Sequence, residues 1–139
     1  MKKPSIPPQR MAVMEFTNLA YLFLALYMAS RRDGGAALVL MVFIVSSVHH
    51  FFAYNRSWFW FDIFVACSVC LMLAYMYLPL SIFDTNFMFV CSIVLFALAL
   101  ILFFSSGVEY TGRKFEMYHG LWHVLTAASF FLLLKSGER

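Results

Sequence analysis

The chain has 139 residues, of which 63% are hydrophobic and only 12% are charged, and its formal net charge is +3. A soluble domain of this length carries roughly twice that charged fraction, so the composition excludes an ordinary soluble protein. The basic residues lie near the ends of apolar stretches, a pattern that indicates anchoring at a membrane interface and no binding of nucleic acid.

Five apolar stretches are long enough to be membrane-spanning helices, each of which needs about 20 residues. They run over residues 11–30, 36–54, 58–78, 87–106 and 115–134. Short polar breaks separate them, which favours antiparallel neighbours in one compact bundle. We therefore predict an all-α, multi-pass membrane helix bundle with five transmembrane helices and its two termini on opposite sides.

The first stretch is predicted to be a retained helix and not a signal peptide. It is longer than the apolar part of a signal peptide, contains Glu15 and Asn18, and lacks a small-x-small cleavage site. Residues 1–10, which include three prolines, are predicted to be a polar, extended tail, and residues 135–139 a second polar tail. Residues 11–134 then form a single domain.

Four ionisable residues of the apolar stretches are predicted to lie at one face of the bundle. Such residues are costly inside a bilayer, so they are candidates for function. His50 comes near the end of the second stretch, Asp62 near the start of the third, and His119 and His123 near the start of the fifth. With alternating helix directions and about 1.5 Å of rise per residue, all four lie within roughly 5–14 Å of the same interface.

Three further residues belong to the neighbourhood of this layer. Ser46 precedes His50 by four residues and shares its helical face, whereas His49 is rotated from His50 by about 100° and is the weaker candidate ligand. Glu15 enters from the same face on the first stretch, where it either lies at the interface or, like His49, supports the ligands from an outer shell.

The histidines predict a zinc site. His119 and His123 are one helical turn apart, and with His50 they supply three neutral imidazoles, which together with a water form the ligand set of an open catalytic zinc site. Zinc makes water more acidic and polarises a carbonyl. Asp62 would accept the proton of the water, and Ser46 would bond the water or the developing oxyanion. This chemistry suits hydrolysis of a lipid amide or ester.

Other interpretations of the same residues stay open. A pair of histidines four residues apart also occurs as a packing or interfacial pair, and His50 can be a hydrogen-bonded histidine at a helix end. Asp62 can pair with Arg56. Haem ligation by His50 and one histidine of the last stretch is a further alternative, but it leaves one histidine without a role.

The order of these residues resembles the CREST superfamily of membrane hydrolases, which includes alkaline ceramidases, adiponectin/progestin-type receptors, the GPI-processing phospholipase A2 and myomaker. Its pattern of Ser-x-x-x-His, Asp and His-x-x-x-His matches Ser46, His50, Asp62, His119 and His123. Residues 122–126 are similar to the ceramidases. Residues 17–22, 31–32, 43–46 and 129–134 are similar to the myomaker and GPI-phospholipase branch.

The resemblance implies a Zn²⁺-dependent hydrolase whose substrate is a membrane lipid. Members usually have seven helices, whereas five are predicted here, and the two absent helices fall between the Asp helix and the His-x-x-x-His helix. Loss of a pair keeps the ligands in one layer but changes the cavity, which then needs a second copy or a larger membrane complex to enclose a lipid. A non-catalytic, myomaker-like membrane-remodelling protein or a small structural subunit is the alternative.

Overall fold

The computed structural model describes residues 8–51, 56–82, 87–105 and 113–137. These residues form five helices: α1 (Pro8–Ser30), α2 (Ala36–Phe51), α3 (Arg56–Ile82), α4 (Phe87–Ser105) and α5 (Arg113–Gly137). No strand occurs in the described ranges. The predicted all-α class with five helices is confirmed.

The ends of the helices differ from the prediction by a few residues. α1 begins at Pro8, so residues 8–10 belong to the helix and not to the tail, and proline suits the first position because no intrahelical N–H bond is lost there. α3 continues past Pro79 to Ile82, although a proline inside a helix removes the bond from its own nitrogen to the carbonyl four residues earlier. α5 extends to Gly137. Residues 1–7 and 138–139 of the predicted tails lie outside the described residues.

Among the described residues, three helices are long and apolar enough to cross a membrane, over Ser57–Pro79, Phe87–Ser105 and Lys114–Gly137. α2 is apolar, and its described part has 16 residues, about 24 Å of helix. Large apolar side chains point outward from the bundle, among them Phe64, Phe87 and Phe104 at 68%, 83% and 75% exposure. This surface fits a membrane environment, while the crossing of all five helices stays a prediction.

Contacts between α1 and α5 show that these two helices are parallel. The rings of Tyr21 and His123 have centroids 5.4 Å apart, and further along both helices the rings of Tyr27 and Phe131 have centroids 5.0 Å apart. Gly120 allows the close approach, because a Cβ atom at this position would lie 3.0 Å from the Thr17 Oγ1 atom.

α4 is antiparallel to α5 and packs mainly against it. Ser92, near the start of α4, donates to the Ser129 carbonyl at 2.9 Å, and the Ser129 hydroxyl donates to the Ser92 carbonyl at 2.9 Å. Towards the other end of α4, the rings of Phe103 and Trp122 lie 5.2 Å apart. The reciprocal bonds satisfy both hydroxyls within the apolar surroundings, as is common between membrane helices.

The turn between α1 and α2 is tied to the last turns of α3. Asp33 Oδ1 accepts hydrogen bonds from the Gly35 backbone N–H at 2.7 Å and from the Tyr77 hydroxyl. A Cβ atom on Gly35 would lie 2.5 Å from the Met28 Cε atom and 2.7 Å from the Tyr77 hydroxyl, so a larger residue does not fit. These contacts join three helices at the end of the bundle away from the histidines.

We expect Tyr77→Phe to lower the free energy of unfolding by about 1–3 kcal/mol, because it removes a hydrogen bond to a carboxylate. Thermal or denaturant unfolding of the detergent-purified protein measures the change. Tyr75→Phe is the matched control, since Tyr75 lies on the same helix with 84% of its surface exposed. Equal stability of the two variants would contradict a stabilising hydrogen bond between Tyr77 and Asp33.

Candidate metal centre

Three histidines from two helices meet inside the bundle. His50 comes from the last turn of α2, and His119 and His123 come from the first half of α5. Each offers one ring nitrogen, and these nitrogens all lie within 4.8 Å of one another. All three side chains are buried, at 2% exposure or less. The structure thus brings the three predicted ligands together.

The positions of the two α5 histidines follow from helix geometry and from the packing of α1. Residues four apart lie on the same face of a helix, and the rings of His119 and His123 have centroids 4.4 Å apart. The contact of Gly120 with Thr17 holds α1 against this part of α5. Tyr21 of α1 therefore covers His123.

Aromatic rings enclose the cluster. The His119 ring stacks on Phe115, with centroids 5.0 Å apart and an angle of 29° between the planes. Trp122 lies beside both histidines of α5, with centroid distances of 5.4 Å to His119 and 5.3 Å to His123. An apolar enclosure of this kind keeps bulk water away and strengthens electrostatic interactions inside it.

Ser46 and Asp62 pair beside the cluster. The Ser46 hydroxyl donates to Asp62 Oδ2 at 3.3 Å, and the two residues are 1% and 3% exposed. Ser46 lies one turn before His50 on the same face of α2, so its bond brings Asp62 to the face that carries His50. The side chain of Arg56, the alternative partner of Asp62, lies outside the described part of the chain.

His49 is buried but does not belong to the group of three. Its ring centroid lies 5.6 Å from that of His50 and 5.9 Å from that of Phe59 on α3. Successive side chains on a helix point about 100° apart. His49 is therefore directed towards α3, whereas His50 is directed towards α5.

Glu15 contacts the cluster from α1. Its Oε2 atom lies 3.4 Å from His50 Nδ1, and its Oε1 atom accepts a hydrogen bond from the Ser47 hydroxyl at 2.7 Å. Asn18 Nδ2 in turn donates to the Ser47 hydroxyl oxygen at 3.0 Å and to the Phe43 carbonyl at 3.1 Å. A polar network thus links α1 to α2 directly behind His50.

Four polar residues near the site were not predicted from the sequence to have a role in it: Asn18, Tyr21, Ser47 and Thr126. Thr126 is fully buried and lies three residues after His123, so it continues the histidine face of α5. Asn18 follows Glu15 at the same spacing of three that separates Ser47 from His50. This shared spacing on two neighbouring stretches is the signal that would have revealed the network.

The donor set fits a zinc ion. His119 Nε2, His123 Nδ1 and both ring nitrogens of His50 are buried, and none of them has a hydrogen-bond partner within the described residues. Buried polar atoms that lack a partner are costly. Coordination of one cation would satisfy one nitrogen of each histidine, and neutral imidazoles are common ligands of Zn²⁺. His50, His119 and His123 are therefore the residues that would hold the metal.

Comparison of the chain with known proteins identifies no related protein. No family model matches the chain, and no curated protein and no solved structure is significantly similar to it. The resemblance to the CREST superfamily therefore stays an expectation that rests on the order and spacing of Ser46, His50, Asp62, His119 and His123.

Proposed function

We propose that the chain is a multi-pass membrane protein that binds zinc and hydrolyses an amide or ester bond of a membrane lipid. The proposal is carried by the three buried imidazoles, whose nitrogens lie within 4.8 Å of one another. The buried pair of Ser46 and Asp62 beside them supplies the groups for acid–base chemistry. Bound zinc supplies Lewis acidity, which makes water a nucleophile near neutral pH and polarises a carbonyl oxygen.

Asp62 is the proposed general base. Its carboxylate accepts a proton from the attacking water as the new C–O bond forms, and it returns that proton to the leaving amine or alcohol as the scissile bond breaks. Ser46 positions Asp62 through the bond from its hydroxyl to Oδ2. When the Ser46 hydroxyl rotates towards the substrate, it stabilises the negative charge that develops on the carbonyl oxygen.

The surface of the bundle supports a lipid as the substrate. An apolar groove of about 310 Å³ runs between α1 and α5. It includes Ala20 and Val124, the sequence neighbours of Tyr21 and His123. A cavity inside the bundle, which Tyr21 and Phe130 help to line, measures about 10 Å³, room for about one water molecule. Of these two spaces, only the groove is large enough for a part of an acyl chain.

A second candidate function is a structural metal site in a non-catalytic membrane protein or subunit. The deep burial of the site favours it, because each of the five residues Ser46, His50, Asp62, His119 and His123 is exposed by 3% or less. In this case the metal would join α2 to α5 and stabilise the bundle. The two candidates differ in what Asp62 does.

We expect the detergent-purified protein to contain about one zinc ion per chain, because three imidazoles converge on one point. His119→Ala should lose the metal, which elemental analysis measures. His49→Ala is the matched control, a neighbouring buried histidine outside the group of three, and should keep it. Zinc-free wild-type protein after purification and reconstitution with zinc would contradict both candidate functions.

The Asp62→Asn variant separates the two candidates. We expect it to retain zinc and to lose about 10²–10⁴-fold in the rate of hydrolysis, the usual contribution of a general base. Release of fatty acid from ceramide and phospholipid in mixed micelles measures that rate. Asp33→Asn, at the far end of the bundle, is the control and should leave turnover per folded molecule unchanged. Undiminished turnover in Asp62→Asn would contradict the proposed role of this carboxylate.

A further inference from the structure

We propose that Glu15 is a positioning residue that orients His50 for metal binding. The inference rests on the proposed zinc site. It concerns α1, a helix that supplies none of the three imidazoles. The Glu15 carboxylate acts on the ring through the Nδ1 atom, on the side opposite to the ligating nitrogen.

The contact between Glu15 and His50 decides which ring nitrogen is available. A histidine ligates a metal through one nitrogen, and the partner of the other nitrogen fixes the tautomer and the orientation of the ring. Oε2 of Glu15 lies 3.4 Å from His50 Nδ1. Neither Nδ1 nor Oε2 has a hydrogen-bond partner among the described residues, so each remains available to the other after a small turn of the ring. A bond from Nδ1–H to this carboxylate would leave the lone pair on Nε2, which is also buried and without a partner there.

The Glu15 carboxylate is itself held in place by a hydrogen bond to its other oxygen, Oε1. The Ser47 hydroxyl donates to Oε1 at 2.7 Å, and Asn18 donates to the Ser47 oxygen at 3.0 Å. Glu15 and Asn18 are three residues apart on α1, as are Ser47 and His50 on α2, so the two pairs face each other across the helix contact. This arrangement fixes the carboxylate more firmly than a surface glutamate would be fixed.

The charge of Glu15 also suits its place. Three neutral imidazoles leave both positive charges of a zinc ion uncompensated, which is costly away from water. Glu15 brings a carboxylate to His50 itself, and Ser46, one turn before His50, bonds a second carboxylate, that of Asp62. Only 17% of the Glu15 side chain is exposed, so water screens its charge weakly. A carboxylate partner also makes the histidine a stronger ligand.

The test is the affinity of the Glu15→Gln variant for zinc, measured by competition with a chelator on the detergent-purified full chain. Glutamine keeps the length of the side chain and an oxygen for Ser47, but it removes the charge. We expect the affinity to fall about 10–100-fold, the usual effect of losing such a partner. Glu15→Asp, which keeps the charge on a shorter side chain, should lose less.

A spectroscopic readout separates positioning from general destabilisation. With cobalt in place of zinc, the visible absorption bands report the ligand field, and we expect them to shift in Glu15→Gln. Asp33→Asn is the reference for stability, since it removes a carboxylate from the far end of the bundle. It should lower the melting temperature of the metal-free protein without changing the cobalt bands or the zinc affinity.

The inference is overturned if Glu15→Gln binds zinc as tightly as the wild type does. It is also overturned if Asp33→Asn lowers the melting temperature as much as Glu15→Gln does and loses the same affinity for zinc. Either result leaves the proposed hydrolase intact, because wild-type zinc binding and turnover persist. If Glu15→Gln does not fold, Glu15→Asp is compared with Asp33→Asn by the same criteria. A wild-type protein that binds no zinc overturns the inference together with the proposed site.

Discussion

The polar side chains inside this bundle need partners within the protein, and this need organises its packing. An unsatisfied polar group in apolar surroundings is costly, so polar residues of different helices are drawn to one another. At one end, Asp33 joins the turn after α1 to Tyr77 of α3. Between α4 and α5, Ser92 and Ser129 form two reciprocal hydrogen bonds. At the other end, three imidazole nitrogens converge without a hydrogen-bond partner among the described residues, and this is the observation behind the proposed metal site.

The helices and the common depth of the site residues could be predicted because they depend on properties that a sequence displays. Length and hydropathy give five helices, and the rise per residue places His50, Asp62 and His119 at one level. Proline was less informative, since α3 continues through Pro79. The cost of a proline inside a helix is about 3 kcal/mol, and the packing of the whole helix can outweigh it, which the sequence around the proline does not state.

The contacts of the site with α1 depend on how one helix is rotated against another, and hydropathy does not report that rotation. The sequence left two positions possible for Glu15, the membrane interface or an outer shell around the ligands, because its helix is only weakly amphipathic. Ser46 and Ser47 are neighbours on α2, yet one bonds Asp62 on α3 and the other bonds Glu15 on α1. Such a division follows from the packing of three helices together and not from the sequence of any one of them.

The antiparallel pair of α4 and α5 has a consequence for how the protein is made. Two of the three imidazoles lie on α5, while His50 and Asp62 lie on helices that leave the ribosome earlier. α1 and α2 can pack through Glu15, Asn18 and Ser47 before α5 is synthesised. The three imidazoles, however, meet only when α5 has packed in the correct direction. Binding of the proposed metal would then report that α5 has reached its place in the bundle.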